Sequence, residues 1–266
     1  MPSGLLFFPE FTMHRIALTI LCVGLLASVS QAEWGNLKGR IVLDGDVPPP
    51  RVLIKAPIPK LPGVGDIPDE SLIIDAKSKG IANVLVWLVA KKDLKIHPML
   101  VPPRVPVVTL SVTAGRITPH IAVMRTDQTV QFSNPDPTPY SIRSMPLKNH
   151  GFNLLINPGK TSRPQSFKLV ERLPVQLGDD IHPWMRGYIL PLDHPYATVT
   201  DKDGNFEIKD LPVDDHEFRI WHEIPGYLVR DEQNPERGLI ATINAGEATT
   251  LSDIKVPLKV FYPADR

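Results

Sequence analysis

The segment 179–185 holds the side chains of this chain that are best suited to binding a metal. His182 and Met185, separated by two residues, supply an imidazole and a thioether. A blue-copper site uses these two donors together with a second imidazole and a thiolate. The thiolate would be expected three residues before the histidine, and that position is Asp179. The segment therefore resembles a copper-binding loop that lacks copper's strongest ligand.

The cysteine content limits the metal chemistry further. Cys22 is the only cysteine, and it lies in an apolar run, 16–27, that follows two basic residues. A charged start, a short apolar run and a small-residue end are typical of a secretory signal peptide. We therefore expect residues 1–32 to be a signal peptide, whether translation starts at Met1 or Met13. The mature chain would then lack cysteine, and it could form neither a disulfide nor a thiolate metal site.

Composition and charge exclude several kinds of partner. The formal net charge of zero argues against a nucleic acid, because such partners are held by cationic side chains that neutralise phosphates. It gives no support for an anionic membrane surface, and no segment after the signal is long and apolar enough to span a bilayer. The 266 residues include 29 prolines and 17 glycines. Proline at this density interrupts helices and separates short strands, so we expect an all-β protein.

Short runs of β-branched and aromatic residues predict the strands. The run 82–89 is almost continuously apolar and predicts a buried central strand, whereas 129–133 alternates between two faces. Asp203-Gly204 predicts a hairpin turn between a strand ending at Thr200 and one beginning at Phe206. The remaining segments are strands predicted at 39–45, 107–112, 121–124, 166–169, 173–177, 187–190, 217–221 and within 249–260, and irregular proline-rich connections at 48–68 and 98–106.

Two groups of motifs resemble those of a known family. The first group is Asn134-Pro135-Asp136, Gly151-Phe152-Asn153 and His182-Pro183-Trp184-Met185. The segment 118–192 that holds it looks like a cupredoxin domain of the secreted bacterial methylamine utilisation or plastocyanin-like proteins. The second group is Asp193-His194-Pro195-Tyr196, the turn from Thr200 to Phe206, Leu211-Pro212 and Trp221-His222-Glu223. It is similar to that family's carboxypeptidase-regulatory-like (transthyretin-like) β-sandwich. The resemblance implies an all-β chain that combines this sandwich with a Greek-key cupredoxin β-sandwich.

The order of these motifs along the chain predicts an inserted domain. A regulatory-like sandwich usually has its first strands close to the Asp203-Gly204 turn, but here about a hundred residues intervene. We therefore expect one sandwich built from residues 33–92 and 193–262, with a cupredoxin-like domain, 93–192, inserted between them. Insertion is tolerated where the chain leaves and re-enters a domain at neighbouring surface positions. The alternative is two consecutive domains.

The resemblance also shows which copper ligands have been replaced. In family members with a working copper site, a histidine, a cysteine, a second histidine and a methionine would occupy the positions of Tyr140, Asp179, His182 and Met185. A further cysteine often found in the family would fall near Gly115. Phenolate and carboxylate are harder donors than imidazole and thiolate, and they are unsuited to Cu(I).

Two interpretations of these four positions stay open. In the first, they are vestigial: Trp184 and Met185 pack the loop against the sandwich, and His182 hydrogen-bonds to backbone. In the second, Asp179 and His182, with Met185 and Tyr140, form an altered site for copper or another divalent ion such as Zn(II). Two or three ligands would give only modest affinity.

The other polar candidates have ordinary structural explanations. We expect His120 to be a structural histidine at the start of a strand, and His194 to lie in a turn between domains. His222-Glu223 could be a ligand or an outer-sphere pair, but a satisfied polar pair at a strand end is the favoured interpretation. Asp201 begins a segment with a faint likeness to a calcium loop, but it lacks the later bidentate glutamate. A turn is the better prediction there.

Enzyme motifs are absent from the sequence: it has no nucleophile elbow, His-Glu-x-x-His pair or phosphate-binding glycine loop. We therefore expect a protein without enzymatic activity, exported to the periplasm or outside the cell. One class of function is a binding or structural module that engages an extracytoplasmic protein or a carbohydrate. The other is an electron-transfer or metal-binding protein with an altered copper site.

Overall fold

The computed structural model describes residues 1, 4, 33–59, 61–103, 105–229 and 238–262. The predicted signal peptide, 1–32, therefore lies almost entirely outside the described residues. The chain divides into two compact units, Met1–Ser30 and Gln31–Arg266, and the strands described below belong to the second. Within the described part of the chain, no helix has the length and apolar character needed to cross a membrane.

The all-β prediction is confirmed, since the described residues form strands, two short 3₁₀ turns and no α-helix. In chain order the strands are β1 (Trp34–Asp44), β2 (Val52–Ile54), β3 (Ile67–Pro68), β4 (Leu85–Leu88), β5 (Val107–Thr113), β6 (Arg116–Thr118), β7 (Ile121–Arg125), β8 (Thr129–Asn134), β9 (Tyr140–Met145), β10 (Asn153–Ile156), β11 (Lys160–Thr161), β12 (Val175–Asp179), β13 (Arg186–Leu192), β14 (Ala197–Val199), β15 (Asn205–Pro212), β16 (Asp214–His222), β17 (Gly226–Tyr227), β18 (Leu239–Ile243), β19 (Ala248–Thr250) and β20 (Ile254–Pro257). The 3₁₀ turns are Pro98–Leu100 and Leu258–Val260.

The first sandwich takes strands from both ends of the chain. One sheet has the order β15-β1-β19, with β20 also paired to β1, and the other has the order β14-β4-β16-β17, with β18 also paired to β16. The antiparallel pair β1–β15 places Gly39 opposite Phe206. The pair β4–β14 places Trp87 opposite Ala197. Tyr196 and Phe218 are fully buried between the two sheets.

The second sandwich is built from the middle of the chain. Its sheets have the orders β10-β9-β12-β13-β7 and β11-β8-β5-β6. The alternation in β8 buries Val130 and Phe132, and that in β9 buries Tyr140 and Ile142, so both strands point one face into the core. The parallel pairs β13–β7 and β5–β8 require longer connections than hairpins allow.

The two sandwiches share an apolar interface. Strand β4 is buried on both faces: Val86 and Leu88 belong to the core of the first sandwich, whereas Leu85 and Trp87 pack with Tyr188 of β13. This double burial explains why the run 82–89 is apolar at nearly every position rather than at alternate ones.

A segment that we call the cover, residues 52–68, closes one end of the second sandwich. It contains the short β2–β3 ribbon. Its side chains Ile58, Leu61 and Ile67 are buried and belong to the core of the second sandwich. The proline-rich composition correctly predicts a largely irregular segment, but it does not reveal that three apolar side chains anchor it.

Three expectations about strands are wrong. Asp203-Gly204 does form a turn, and Gly204 has φ +79°, but β14 and β15 on either side belong to different sheets and do not pair. The turn is therefore not a hairpin. Segment 166–169 is not a strand, because Phe167 enters the core from an irregular stretch. The last strand ends at Pro257, where a 3₁₀ turn begins.

Candidate functional site

The four residues at the predicted copper-ligand positions lie at one end of the second sandwich. Tyr140 begins β9 and Asp179 ends the neighbouring strand β12, while His182 and Met185 lie in the turn between β12 and β13. The rings of Tyr140 and His182 have centroids 4.9 Å apart. All four side chains are buried. The fold therefore gathers residues that are as much as 45 positions apart in the sequence (140 to 185).

Asp179 is the hydrogen-bond centre of this cluster. Its Oδ1 accepts from the backbone nitrogens of Ile181 (2.9 Å) and His182 (2.5 Å), and it lies 3.0 Å from His182 Nδ1. Its Oδ2 accepts from the backbone nitrogen of Ser141 at 2.6 Å. The carboxylate thus fixes the start of the turn and ties it to β9. A buried carboxylate is tolerated here because both of its oxygens are engaged.

Tyr140 is held by a second carboxylate. Its Oη donates to Asp136 Oδ2 at 2.6 Å and accepts from the backbone nitrogen of Gly115 at 3.2 Å. Burial, followed by the hydrogen bond to Asp136, raises the pKa of the Tyr140 phenol above its ordinary value. The phenol therefore stays protonated, which disfavours the phenolate that a metal would require.

Asp136 is a functional contributor that the sequence reasoning quoted only as part of a motif. Besides Tyr140, it accepts from Thr113 Oγ1 at 2.7 Å and from the backbone nitrogen of Ala114 at 2.6 Å. Burial alone would raise the pKa of Asp136, but these hydrogen bonds outweigh it and hold the pKa below its ordinary value. The four-residue spacing to Tyr140 after an Asn-Pro-Asp turn is the only sequence signal for this contact.

His182 keeps one nitrogen without a partner. A carboxylate can only accept, so Nδ1–H donates to Asp179 and Nε2 carries the free lone pair. Nε2 is buried and has no hydrogen-bond partner among the described residues. Met185 is 2% exposed and packs in the core of the second sandwich. These two groups are the remaining soft donors at this end of the fold.

The donor set does not fit copper. Of the four positions, Asp179 uses both oxygens for hydrogen bonds and Tyr140 is a paired, neutral phenol. Only the imidazole and the thioether are free, and no thiolate is present to bind Cu(I). Within the described ranges, no group of three or more His, Cys, Asp or Glu side chains is arranged to hold a metal ion.

Gly115 lies under the cover and against the cluster. It has φ +70°, its carbonyl accepts from Trp184 Nε1 at 3.3 Å, and its nitrogen donates to Tyr140. A Cβ at this position would lie 2.7 Å from Ile67 Cδ1 and 2.8 Å from Leu61 Cδ1. The cover therefore leaves no room for a side chain where the family often has its further cysteine.

A second polar contact joins the two sandwiches. His120, directly before β7, places Nε2 against Glu223 Oε1, and the two side chains are 8% and 5% exposed. The sequence reasoning treated His120 as a structural residue at a strand start and His222-Glu223 as a pair satisfied locally. That second expectation needs correction, because Glu223 reaches the histidine of the other sandwich. His222 instead accepts from the backbone nitrogen of Ile224 at 3.3 Å.

The remaining histidine of the motifs is structural. His194 is buried, and its Nδ1 accepts from the backbone nitrogen of Tyr196 at 3.2 Å, which fits the expected turn between domains. Burial lowers the pKa of His194 to about 4. Burial, reinforced by repulsion from His120, lowers the pKa of His222 to about 3. Asp201 accepts from the backbone nitrogens of Asp203 and Asn205, each at 2.9 Å, as a turn requires.

The cover and the two sandwiches enclose a cavity of about 270 Å³, which we call the interdomain cavity. Its lining includes Ile67, Glu70, Arg116, His120, Trp184 and Glu223. Met185 also reaches it, so the cavity borders the cluster around His182 on one side and the His120–Glu223 contact on the other.

Comparisons with known proteins leave the family open. No protein-family model matches this chain, and no curated protein matches it. Among solved structures, a purple cupredoxin from Nitrosopumilus maritimus is 20% identical and covers 32% of this chain and 98% of its own, with a TM-score of 0.27. Amicyanin, solved in a Cu(I) form, is 11% identical and covers 32% and 81%, with a TM-score of 0.29. A copper-containing nitrite reductase from Thermus scotoductus is 19% identical and covers 39% and 25%, again at 0.29.

Proposed function

We propose that this chain is an exported, non-enzymatic binding module, in which a cupredoxin-like domain carries a hydrogen-bonded structural cluster at its copper-ligand positions. The observation that supports this most directly is the position of Asp179. It takes the place expected for the thiolate, and it accepts four hydrogen bonds from Ser141, Ile181 and His182. Releasing it to a metal would leave buried backbone N–H groups without partners, at a cost of about 1–3 kcal/mol each.

We also propose the inserted arrangement, with 93–192 as the cupredoxin-like domain. The pairing of β1 with β15, and of β4 with β14 and β16, supports it. The chain leaves and re-enters the first sandwich at neighbouring points, because Leu88 N donates to Tyr196 O at 3.0 Å. Tyr196 Oη also donates to Lys95 O at 3.2 Å. The regulatory-like identity of the first sandwich rests on the sequence motifs alone.

An altered metal site is the second candidate function. Its support is the unpartnered Nε2 of His182, which lies in the same core end as the thioether of Met185. One imidazole and one thioether form a weak pair of soft donors, so this candidate requires a ligand from outside the chain. The two candidates differ in whether the protein binds copper with one-to-one stoichiometry.

Metal analysis of the purified mature chain, followed by titration with Cu(I) and Cu(II), separates them. We expect less than stoichiometric metal after purification and no intense visible band after addition of Cu(II). His182→Gln should leave both results unchanged. One bound copper per chain that disappears in His182→Gln would overturn the proposal and favour the altered metal site.

Export is tested independently by the mass of protein recovered from outside the cytoplasm. We expect cleavage after Ala32 and the loss of Cys22 with the leader. A mass that still includes Cys22 would contradict the expected signal peptide.

A further inference from the structure

We propose that the interdomain cavity is a binding site for a neutral carbohydrate of about one pyranose ring. The inference rests on the proposed function as a binding module, and it names the ligand class of that module. A volume of about 270 Å³ lies near the lower end of the range for small-molecule clefts, about 300 Å³. The cavity therefore suits a small ligand rather than a polymer segment or a protein side.

One side of the cavity is aromatic and rigid. Trp184 is only partly buried, and it is fixed by the hydrogen bond from Nε1 to Gly115 O at 3.3 Å and by an edge contact with His182, with ring centroids 5.3 Å apart. Met185, Leu53 and Ile67 extend this apolar side. A tryptophan held in this way offers the flat apolar face on which the C–H side of a pyranose ring stacks, with little loss of side-chain entropy on binding.

The opposite walls supply both hydrogen-bond donors and acceptors. Arg116 and Glu70 lie side by side with Nη1 and Oε1 3.2 Å apart, and Ser71 donates to Asp69 at 2.6 Å. A carboxylate has about four acceptor sites and a guanidinium about five donors, so each group keeps free capacity after these contacts. Vicinal hydroxyls, which donate and accept together, match such planar groups.

The charges on these walls are already paired, which favours a neutral ligand. Arg116 is opposed by Glu70, Asp69 by Arg51 at 3.8 Å, and Glu223 by His120. An anion or a cation would have to compete with one of these pairs. A polyhydroxy ligand can bind to paired groups without displacing either partner, so it gains hydrogen bonds at a smaller desolvation cost.

Saturation-transfer NMR and calorimetric titration of the intact mature chain test this. The probes are glucose, galactose and N-acetylglucosamine, each alone, with phosphate, spermidine and Zn(II) as charged comparisons. We expect transfer to the ring C–H protons of at least one sugar and no response to the charged probes. Trp184→Ala should weaken that sugar by roughly tenfold, and Glu70→Gln should weaken it several-fold.

Trp34→Ala is the matched control, because Trp34 is partly exposed but does not line the cavity. It should leave sugar binding unchanged. The inference is overturned if no sugar responds, if only a charged probe binds, or if Trp184→Ala and Glu70→Gln bind the sugar as the unmodified chain does. These outcomes are separate from the copper titration: a copper-free chain without sugar affinity would contradict this inference alone.

Discussion

Asp179 Oδ1 lies 2.5 Å from the backbone nitrogen of His182 and 3.0 Å from its ring Nδ1. A single carboxylate oxygen therefore fixes both the main chain and the imidazole of the residue three positions later. The other oxygen fastens the turn to β9 through Ser141. The histidine is thus positioned by a structural carboxylate rather than by a shared metal.

Replacing Asp179 should destabilise the fold strongly. Asp179→Ala leaves the backbone N–H groups of Ser141, Ile181 and His182 without their acceptor, and we expect a loss of about 3 kcal/mol or more in the free energy of unfolding. Asp180→Ala is the control, because Asp180 is exposed and makes a surface contact with Arg143 at 3.2 Å. Its loss should cost less than about 1 kcal/mol. Urea unfolding of both variants measures the difference, and equal effects would contradict the anchoring role.

A methyl group at Gly115 should report on the packing of the cover. Gly115→Ala should cost about 1–3 kcal/mol more than Gly159→Ala. Both glycines have positive φ, +70° and +67°, so the backbone strain is matched. A Cβ at Gly159 meets nothing within 4 Å, whereas one at Gly115 meets Ile67 and Leu61 of the cover. Thermal unfolding measures both, and equal losses would mean that the cover yields without cost.

The sequence predicted the strands whose pattern follows from burial alone. The continuous apolar run of β4 reflects burial on two faces, and the alternation of β8 reflects burial on one. Strand β9, Tyr140–Met145, was not predicted, because serines and an arginine occupy half of its positions. Propensity does not show that its Tyr140 and Ile142 meet the core.

The candidate site was predicted only in its membership. The spacing of His182, Met185 and Asp179 pointed to one cluster, and the fold brings them together with Tyr140. The contact between His120 and Glu223, which are 103 positions apart, could not be predicted, since it depends on how two sandwiches pack. No local pattern encodes that geometry.

Acid should destabilise the protein before its carboxylates are protonated. Burial lowers the pKa of His194 to about 4, against about 6.5 in an unfolded chain. The unfolded state therefore binds the proton first. The stability is fully present above about pH 6.5 and falls as the pH drops towards 4, by about 3 kcal/mol for this residue. Asp193 favours the proton and Arg125 opposes it, but burial dominates.

His194→Asn should flatten this slope, because it keeps an acceptor for the backbone nitrogen of Tyr196 but does not titrate. The measurement is the free energy of unfolding in urea at pH 7.5, 6, 5 and 4.5. His150→Asn, at an exposed position, should keep the slope of the unmodified chain. A slope that His194→Asn leaves unchanged would assign the acid sensitivity to other groups.

Deleting residues 94–192 and joining the ends with a short linker should leave a folded first sandwich. The ends lie close together, because Leu88 and Tyr196 are hydrogen-bonded across β4 and the start of β14. The deletion uncovers Leu85, Trp87 and Trp221 at the former interface, so we expect lower solubility but a cooperative transition with a β-type circular dichroism spectrum. A soluble product with an unfolded spectrum would favour two consecutive domains instead.

Restoring the copper ligands tests whether the four positions are correctly assigned. Tyr140→His with Asp179→Cys should place two imidazoles, a thiolate and a thioether together with His182 and Met185, which is the ligand set of a blue-copper site. The ring of Tyr140 already lies 4.9 Å from that of His182, so a histidine there can share a metal with it. The double variant should turn blue on addition of Cu(II).

Neither single variant should give that band at full intensity. Tyr140→His has no thiolate, so it stays colourless, and Asp179→Cys binds copper weakly through Cys and His182 alone. The contrast between double and single variants is the informative measurement, because Asp179→Cys also removes the anchor of the turn and lowers stability in both backgrounds. Circular dichroism establishes which variants are folded. A folded double variant that stays colourless would show that Tyr140 and Asp179 do not stand at ligand positions.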